Sequence, residues 1–281
     1  MPRQHALNHV SPISLPEINT VGTNRPSAWL RAGWNDMMHN PLVSIGWGLV
    51  ITLAYGAIIW FAAATDLYHV GLQLVAAFTL VAPLLAVGFY KLSRQIERDQ
   101  PATFSSAMRA WGANTKGFLS IGVFLVLITL TWFMVSMQLT AFLAESKAEL
   151  VLGTGAQSIG EFGRALITQE MIPLLTGFFL TGLIAALVVF AITAVSIPML
   201  LDRPEVDGIT ALVTSWKAVI HNWKTMLAWG ILIVAVTAVG MLVFYIGLAV
   251  AIPLLGHATW HAYREVLGEW HKIEQPEVEY Y

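Results

Sequence analysis

Residues 253–264 read Pro-Leu-Leu-Gly-His-Ala-Thr-Trp-His-Ala-Tyr-Arg, so an apolar run passes directly into a polar and aromatic one. The chain uses a similar frame earlier, because residues 83–90 read Pro-Leu-Leu-Ala-Val-Gly-Phe-Tyr. Arg94 stands eleven residues after the first proline of the earlier stretch, as Arg264 does in the later one. The recurrence predicts that the chain is built from copies of one unit.

Composition sets the broad class of protein. Of the 281 residues, 57% are hydrophobic and only 11% are charged, well below the charged fraction of an ordinary soluble domain. The formal net charge of -2 provides no general attraction to nucleic acid. There is no cysteine, which excludes disulfides, thiolate nucleophiles and covalently attached c-type haem. These features predict an integral membrane protein that contacts the lipid bilayer.

Six apolar runs are each long enough to cross a membrane, since about 20 helical residues span a hydrocarbon core of ~30 Å. An insert at 145–170 separates the third run from the fourth, and residues 1–25 are predicted to form an extended tail. The predicted fold class is all-α, with transmembrane helices at about 42–64, 67–90, 117–143, 172–200, 225–244 and 247–265.

The six runs group into three units of two helices, which cover 26–100, 101–206 and 207–281. Each unit begins with a short amphipathic segment, predicted to be a helix in the membrane interface. In the first unit that segment presents Leu30, Trp34, Met37 and Met38 on one face. Each segment ends at an asparagine that has a glycine eight residues further on; the asparagines are Asn40, Asn114 and Asn222. Asparagine is favoured at a helix N-cap and proline at the first helical position, so the first span is predicted to start at Asn40 and Pro41.

Each unit also ends alike, with a proline late in its second span, then a hydrophobic pair and a basic residue. The prolines are Pro83, Pro198 and Pro253. In the six-span arrangement, the tails and loops on one side hold 13 of the 15 lysines and arginines. Because basic residues are retained on the cytoplasmic side, both termini are predicted to be cytoplasmic and the insert at 145–170 external.

With this repeat, the stretches at 83–90 and 253–264 resemble those of a bacterial integral membrane family known as domain of unknown function 2189. Members of that family close with a stretch similar to residues 253–264, and the resemblance extends over nearly the whole chain after residue 26. It implies a six-helix protein of the bacterial inner membrane without an established activity. Some members have been labelled as candidate cytochrome c oxidase components, a label that points to no catalytic residue.

His257 and His261 are four residues apart, so both imidazoles lie on one helix face and could share a metal ion or a haem. Further ligands would come from the same predicted side of the membrane, where the candidates are His39, His221 and His271. Alternatively, the histidines hydrogen-bond helix ends and headgroups, with Trp260 and Tyr263 as interfacial aromatics. The sequence shows no neighbouring carboxylate to orient the imidazoles, which favours this alternative. No metal, haem or other cofactor is therefore expected.

The predicted spans contain no Asp, Glu, Lys or Arg at mid-membrane depth, only Gln73, Gln138 and scattered hydroxyl residues. Ion-coupled carriers, pumps and voltage sensors generally need an ionisable group there, so these classes are disfavoured. The sequence also lacks a phosphate-binding glycine loop and the common hydrolase and metalloprotease motifs. We therefore expect that the protein is not an enzyme.

Two functional hypotheses from different classes remain, of which the first is the favoured prediction and the second is the alternative. The first is an accessory or structural subunit of a larger membrane complex, such as a respiratory oxidase, which other subunits approach at small residues. Those small residues are Gly46, Gly48, Gly56, Gly177 and Gly182. The second is a channel or facilitator for a small neutral or apolar solute, with the three units around a central path.

Overall fold

The computed structural model describes residues 16–65, 67–143, 172–243 and 245–268, together with residues 160, 164 and 169. Within these ranges every regular element is a helix. The α-helices are α1 (Arg25–His39), α2 (Pro41–Ala64), α3 (Tyr68–Leu85), α4 (Val87–Glu97), α5 (Phe104–Met108), α6 (Thr115–Leu143), α7 (Ile172–Thr193), α8 (Ser196–Asp202), α9 (Gly208–His221), α10 (Trp223–Leu242) and α11 (Leu248–Leu267). A 3-10 helix at Arg109–Ala113 follows α5. Apart from three single positions, the insert predicted at 145–170 lies outside the described residues, as does His271.

Five stretches of helix are long and apolar enough to cross a membrane, judged by length and composition. They are Pro41–Ala64, Gln73–Glu97, Thr115–Leu139, Leu175–Asp202 and Trp223–Leu242. Helix α11 corresponds to the sixth predicted span, but it is not among them because polar residues lower the hydropathy of its second half. The chain is therefore an all-helical membrane protein with five candidate spans in its described part.

Prolines interrupt two of these five stretches. Proline lacks an N–H donor, and its ring displaces the carbonyl four residues earlier, which weakens the surrounding helix. Pro83 lies near the end of α3, and the chain continues as α4 after a break at Ala86. Pro198 lies in the first turn of α8, where a missing N–H is tolerated, just after a break at 194–195. Helix α11, in contrast, continues through Pro253 without a break.

Helix α11 lies at the centre of the bundle, where it contacts α1, α2, α4 and α10. Most of its residues are buried, and Trp260 and Tyr263 are completely so. One close contact is with Gly48 of α2, where a β-carbon would lie 2.5 Å from the carbonyl oxygen of Ala249 and 2.7 Å from Cδ of Pro253. The expectation that Trp260 and Tyr263 are interfacial aromatics is therefore wrong, because both belong to the core.

The three short helical segments precede α2, α6 and α10, and the asparagine after each one bonds to a distant part of the chain. Each side chain donates from Nδ2 to a backbone carbonyl: Asn40 to Ala102 at 3.0 Å, Asn114 to Val206 at 2.8 Å and Asn222 to Asn19 at 2.9 Å. Asn114 also caps α6, since it accepts the N–H of Gly117 at 2.9 Å. The side chains of Asn40 and Asn222 do not cap the helices that follow them, so the capping predicted for these two is not observed.

Residues 16–22 are not helical, and this part of the predicted tail packs against the bundle. The N–H of Asn19 donates to the carbonyl of Val266 in α11 at 2.8 Å. The N–H of Val21 donates to Oδ1 of Asn222, and the carbonyl of Val21 accepts from the hydroxyl of Thr225 in α10, both at 2.8 Å. The segment before α1 is thus tied to the last two helices of the described chain.

Candidate functional site

A buried polar network surrounds His257 of α11, which is completely inaccessible to solvent. Its Nδ1 lies 2.7 Å from the hydroxyl of Ser93, and its Nε2 lies 3.0 Å from the hydroxyl of Ser44. Ser93 donates its single hydroxyl proton to Oδ2 of Asp36 at 2.6 Å, so it must accept from Nδ1–H of His257. Nδ1 of His257 therefore carries a proton, and Nε2 is paired with the hydroxyl of Ser44.

The second predicted ligand, His261, reaches the same carboxylate. Its Nε2 lies 2.9 Å from Oδ2 of Asp36, so that one aspartate of α1 links both histidines. Both ring nitrogens of His257 are occupied by hydroxyl groups, which leaves no free lone pair for a metal ion. No group of three or more His, Cys, Asp or Glu side chains suited to a metal occurs among the described residues. These hydrogen bonds connect α1, α2, α4 and α11.

The other histidines considered from the sequence do not join this network. His39 is exposed at the end of α1. His221 lies at the end of α9, where its Nε2 is 2.8 Å from the hydroxyl of Thr20. The two His-Asn pairs at 39–40 and 221–222 therefore bind different parts of the chain and form no common site.

An ionic cluster lies where α4, α8 and α11 end, which we call the basic end of the bundle. Its centre is Asp202, whose side chain is only 4% exposed. The carboxylate lies 3.1 Å from Nε of Arg94 and 3.4 Å from Nη1 of Arg264, and it accepts the hydroxyl proton of Tyr263 at 3.0 Å. Arg264 also lies 3.0 Å from Glu97. The two arginines at the ends of the similar stretches thus meet at one buried carboxylate.

A cavity of about 290 Å³ occupies the middle of the bundle, between α2, α3, α7, α10 and α11. Most of its wall is aliphatic or aromatic, which is typical of sites that hold small apolar molecules. The side chains in the wall that carry a polar atom capable of hydrogen bonding, other than sulfur, are Tyr55, Thr79, Tyr90, Thr193, Trp229, Thr237 and Thr259. No ionisable carboxylate, amine or imidazole lines it in the described chain, so a charged ligand would be poorly accommodated.

Several of the hydroxyl groups in the wall are engaged within the protein. Three threonines donate to the carbonyl four residues earlier in their own helix: Thr79 at 2.9 Å, Thr193 at 2.6 Å and Thr259 at 2.8 Å. The hydroxyl of Tyr55 lies 3.1 Å from that of Thr79. These groups do not need a ligand to satisfy their hydrogen-bonding capacity.

The indole of Trp229 is different. This residue of α10 lines the cavity and is completely buried, yet its Nε1–H has no acceptor among the described residues. Trp47 stands at the matching place in the first unit, and its Nε1 donates to the carbonyl of Leu85 at 3.3 Å. That carbonyl is available because α3 ends there, whereas α11 is continuous and its Leu255 carbonyl accepts the hydroxyl of Thr259.

The cavity has accessible wall residues on α3, where Thr79 is exposed, and on α7 and α10. Ala186 of α7 lines the cavity but is exposed, and Thr237 of α10 is half-buried. In the described chain, α7 and α10 do not share packing as extensive as that of α2 on α11 or α3 on α6. A β-carbon at Gly230 would meet its nearest neighbour, Cζ of Phe190, only at 4.0 Å, compared with 2.5 Å for the nearest neighbour at Gly48. These two helices lie within candidate spans.

Together, the apolar helices and the cavity between them define a helical integral membrane protein with an internal apolar site. The comparison with protein families agrees on this class, because residues 70–202 match the model of the family described as "Predicted integral membrane protein (DUF2189)". The resemblance inferred from the sequence is thereby confirmed for α3 to α8, while the closing stretch 253–264 lies outside the matched range. No curated protein and no solved structure matches the chain.

Sequence reasoning identified His257, Arg94 and Arg264 but missed the carboxylates that they contact, directly or through Ser93. The buried face of α1 carries Trp29, Gly33 and Asp36 together with Met37 of the predicted stripe, whereas Trp34 is exposed. A β-carbon at Gly33 would lie 2.5 Å from the backbone nitrogen of Ala258, so this face lies directly against α11. The helical spacing of Trp29, Gly33 and Asp36 was visible in the sequence and could have indicated a buried carboxylate. No comparable pattern in the sequence indicated the cavity.

Proposed function

We propose that this protein is a facilitator in the bacterial inner membrane that holds a small neutral or apolar solute in its central cavity. The observation that carries the proposal is the apolar cavity of about 290 Å³, which is lined by helices from all three predicted units. Its wall suits a neutral molecule because it presents hydroxyl and indole groups but no carboxylate or amine. The absence of Asp, Glu, Lys and Arg from the middle of the predicted spans supports an uncoupled process.

The architecture in this proposal is six spans arranged as three two-helix units around the cavity, with α11 as the sixth span. The packing of the short helices supports it, because each one lies on the second span of another unit: α5 on α4, α9 on α7 and α8, and α1 on α11. The hydrogen bonds from Asn40, Asn114 and Asn222 connect the units in the same order. Each asparagine side chain donates to a carbonyl in the segment that precedes the short helix of the next unit. With the third unit contacting the first, this order forms a closed ring. The distribution of basic residues supports cytoplasmic termini.

The accessory-subunit hypothesis has less support from the glycine contacts. Of the glycines considered as approach points for other subunits, Gly48, Gly177 and Gly182 face side chains or backbone of this same chain. Gly56 alone of the five has open space around it, because a β-carbon added there would have no atom of the described residues within 4 Å. These glycines therefore offer few places where a respiratory subunit could pack closely against the protein, and we rank the accessory-subunit function second.

The cavity is tested with purified protein in nanodiscs and 2-ethylnaphthalene as an apolar probe. We expect a saturable rise in Tm, because a ligand that binds only the folded state stabilises it by RT ln(1 + [L]/Kd). Ala186→Trp places an indole at the accessible wall and should abolish the rise. Ile184→Trp is the matched control, since Ile184 lies on the same helix, is 63% exposed and does not line the cavity.

Transport is tested with the same variants in liposomes loaded with the probe. Wild-type protein and Ile184→Trp should accelerate exchange of the probe to acceptor vesicles, and Ala186→Trp should not. If Tm changes in proportion to probe concentration and equally in all three proteins, the probe only partitions into lipid and the cavity is not a binding site. Stoichiometric membrane subunits that co-purify, together with no effect on exchange, would favour the accessory-subunit function.

A further inference from the structure

We propose that a pocket between α4 and the short helical segment that follows it binds the phosphate group of an anionic lipid headgroup. The pocket has a volume of about 340 Å³ and lies where α4 faces α5 and the 3-10 helix. It is lined by Lys91, Gln95, Ser106, Arg109, Ala110 and Ala113. It shares none of these residues with the central cavity, so the inference is independent of the proposed function.

The first support is the charge of the pocket. Lys91 and Arg109 both line it, and no carboxylate does in the described part of the chain. Neither cation forms an ion pair with another described residue. The nearby carboxylates of Asp202 and Glu97 are already shared among arginines at the basic end of the bundle. The pocket therefore presents two positive charges to whatever enters it, which favours an anion.

The second support comes from the matching place on α11. Lys91 stands eight residues after Pro83, and His261 stands eight residues after Pro253. The side chain of His261 is satisfied within the protein, because its Nε2 lies 2.9 Å from Oδ2 of Asp36. For the ammonium of Lys91, the described residues provide neither a carboxylate nor a hydrogen-bond acceptor.

The short helices that pack on α11 and α4 explain this difference. Helix α1 lies on α11, and α5 with the 3-10 helix lies on α4. Asp36 stands four residues before Asn40, whereas the residue four before Asn114 is Ala110. Ala110 lines the pocket together with Lys91. A small apolar side chain thus leaves space where the other junction has a carboxylate, and a bound anion supplies the negative charge that is missing.

The position of the pocket favours a lipid as the source of the phosphate. Lys91 lies in the last two turns of the candidate span Gln73–Glu97, and the next candidate span begins at Thr115, just after the 3-10 helix. The ends of spans lie at the depth of the headgroups, where basic pockets between helices bind anionic lipids. Exposed apolar side chains stand nearby on α5 and α6, Met108 at 58% and Leu119 at 68%, and suit the acyl chains.

The remaining polar groups of the wall hold the pocket in shape. The hydroxyl of Ser106 lies 2.6 Å from Oε1 of Gln95, and Nε2 of Gln95 donates to the carbonyl of Pro101 at 2.9 Å. These contacts fix α5 against α4. The contacts with a ligand are therefore left to the two cations, of which Arg109 can offer two parallel N–H groups to a phosphate.

The site is tested by native mass spectrometry of the protein in a neutral detergent, with dimyristoylphosphatidylglycerol and dimyristoylphosphatidylcholine as probes. The two lipids have the same acyl chains, so a difference in affinity reports the net charge of the headgroup. We expect phosphatidylglycerol to bind wild-type protein saturably and about 10-fold more tightly, the effect of one hydrogen bond to a charged group.

Four substitutions locate the binding. Lys91→Gln and Arg109→Gln should each remove most of this preference, and because Arg109 is exposed its variant serves even if Lys91→Gln does not fold. Lys217→Gln is the matched control, since this lysine is exposed on the short helix α9 and does not line the pocket. Ala110→Asp supplies a carboxylate beside Lys91 and should abolish the preference. Its neutral counterpart Ala110→Asn should retain more of it.

Equal affinities of the two lipids for wild-type protein would overturn the inference. Equal losses in Lys91→Gln and Lys217→Gln would also overturn it, because the attraction would then be a general effect of surface charge. Inorganic phosphate, titrated into the same samples, identifies the source of the phosphate. Failure of phosphate to displace phosphatidylglycerol supports the lipid, whereas displacement from wild-type protein at equal concentration would make free phosphate the ligand and contradict the lipid assignment.

Discussion

A histidine with both ring nitrogens bonded inside a helix bundle is difficult to replace. Substitution of His257 by alanine removes the two hydrogen bonds that the ring nitrogens make with Ser44 and Ser93. It also creates a cavity beside Phe89, whose ring centroid lies 5.6 Å from that of the imidazole. We expect His257→Ala to lower the free energy of unfolding by about 3 kcal/mol. Thermal unfolding in detergent would measure the effect, and exposed His39→Ala serves as the control with little change. Equal stability of the two variants would show that the network contributes nothing.

Asp207 provides a pH-dependent contribution outside the candidate spans. It caps α9, where its Oδ1 accepts the N–H groups of Ile209 and Thr210 at 2.9 and 3.0 Å. The hydroxyl and the amide of Thr210 hold the pKa of the Asp207 carboxyl below its ordinary value of 3.8. Because the folded-state pKa is the lower one, the stabilisation is complete above the ordinary pKa and is lost as pH falls through the folded-state value.

Two substitutions of Asp207 separate the cap from its charge. We expect Asp207→Ala to destabilise the protein by about 1 kcal/mol at pH 7. Asp207→Asn should retain most of the cap but lose the part of the pH dependence that arises from this carboxyl. Unfolding measured at a series of pH values from 7 to 3 would distinguish them, and identical pH profiles for wild type and Asp207→Asn would contradict the assignment.

At the scale of the helices, α2 offers two glycines with opposite surroundings. A β-carbon at Gly48 would lie 2.5 Å from the Ala249 carbonyl oxygen, an atom of the α11 backbone that cannot move aside alone. At Gly56 there is no neighbour within 4 Å. We expect Gly48→Ala to destabilise the bundle by roughly 2 kcal/mol through separation of α2 and α11. Gly56→Ala should be neutral or stabilising by up to about 1 kcal/mol, because alanine favours helix.

Thermal unfolding of these two variants in the same detergent is the measurement. A loss of stability at both positions would mean that glycine is needed for flexibility of α2 and not for its contact with α11. If neither loses stability, the close packing of α2 on α11 is not important for the fold.

The elements were predictable to very different degrees. Hydropathy located the apolar runs, because about 20 apolar residues in succession have few alternatives to crossing a bilayer. It could not assign buried faces, since such helices are apolar on nearly every side and their periodicity is weak. The polar end of α11 was interpreted as interfacial for the same reason. Only the tertiary contacts of His257, Trp260 and Tyr263 show that these residues are in the core.

The cavity could not be predicted because it depends on a pair of helices that do not pack closely. Its wall joins residues from α2 to α11, and no local pattern records the distance between α7 and α10. The sequence did show that Trp47 and Trp229 occupy matching positions. It could not show that one indole has an acceptor and the other has none, because that depends on where each second span breaks.

At the scale of the whole molecule, the orientation remains a prediction from charge. With 13 of the 15 basic residues on one side, reporter fusions at position 149 and after Tyr281 should report opposite sides of the membrane. An even number of spans should also place the start and the end of the chain together. Signals from the same side at the two fusion points would remove the six-span arrangement and favour the five candidate spans without α11.

The central position of α11 has a consequence for biosynthesis. This helix leaves the ribosome after all the other described helices, and it is less apolar than the five candidate spans. Until α11 is synthesised, Asp36, Ser44 and Ser93 on the earlier helices therefore lack the histidine side chains that they contact in the folded protein. Insertion of α11 is then expected to depend on contacts with those helices as much as on lipid. The segment 16–22 is synthesised before these helices but can pack against α11 only after α11 is in place. A nascent chain truncated before residue 248 should remain open to degradation by membrane proteases.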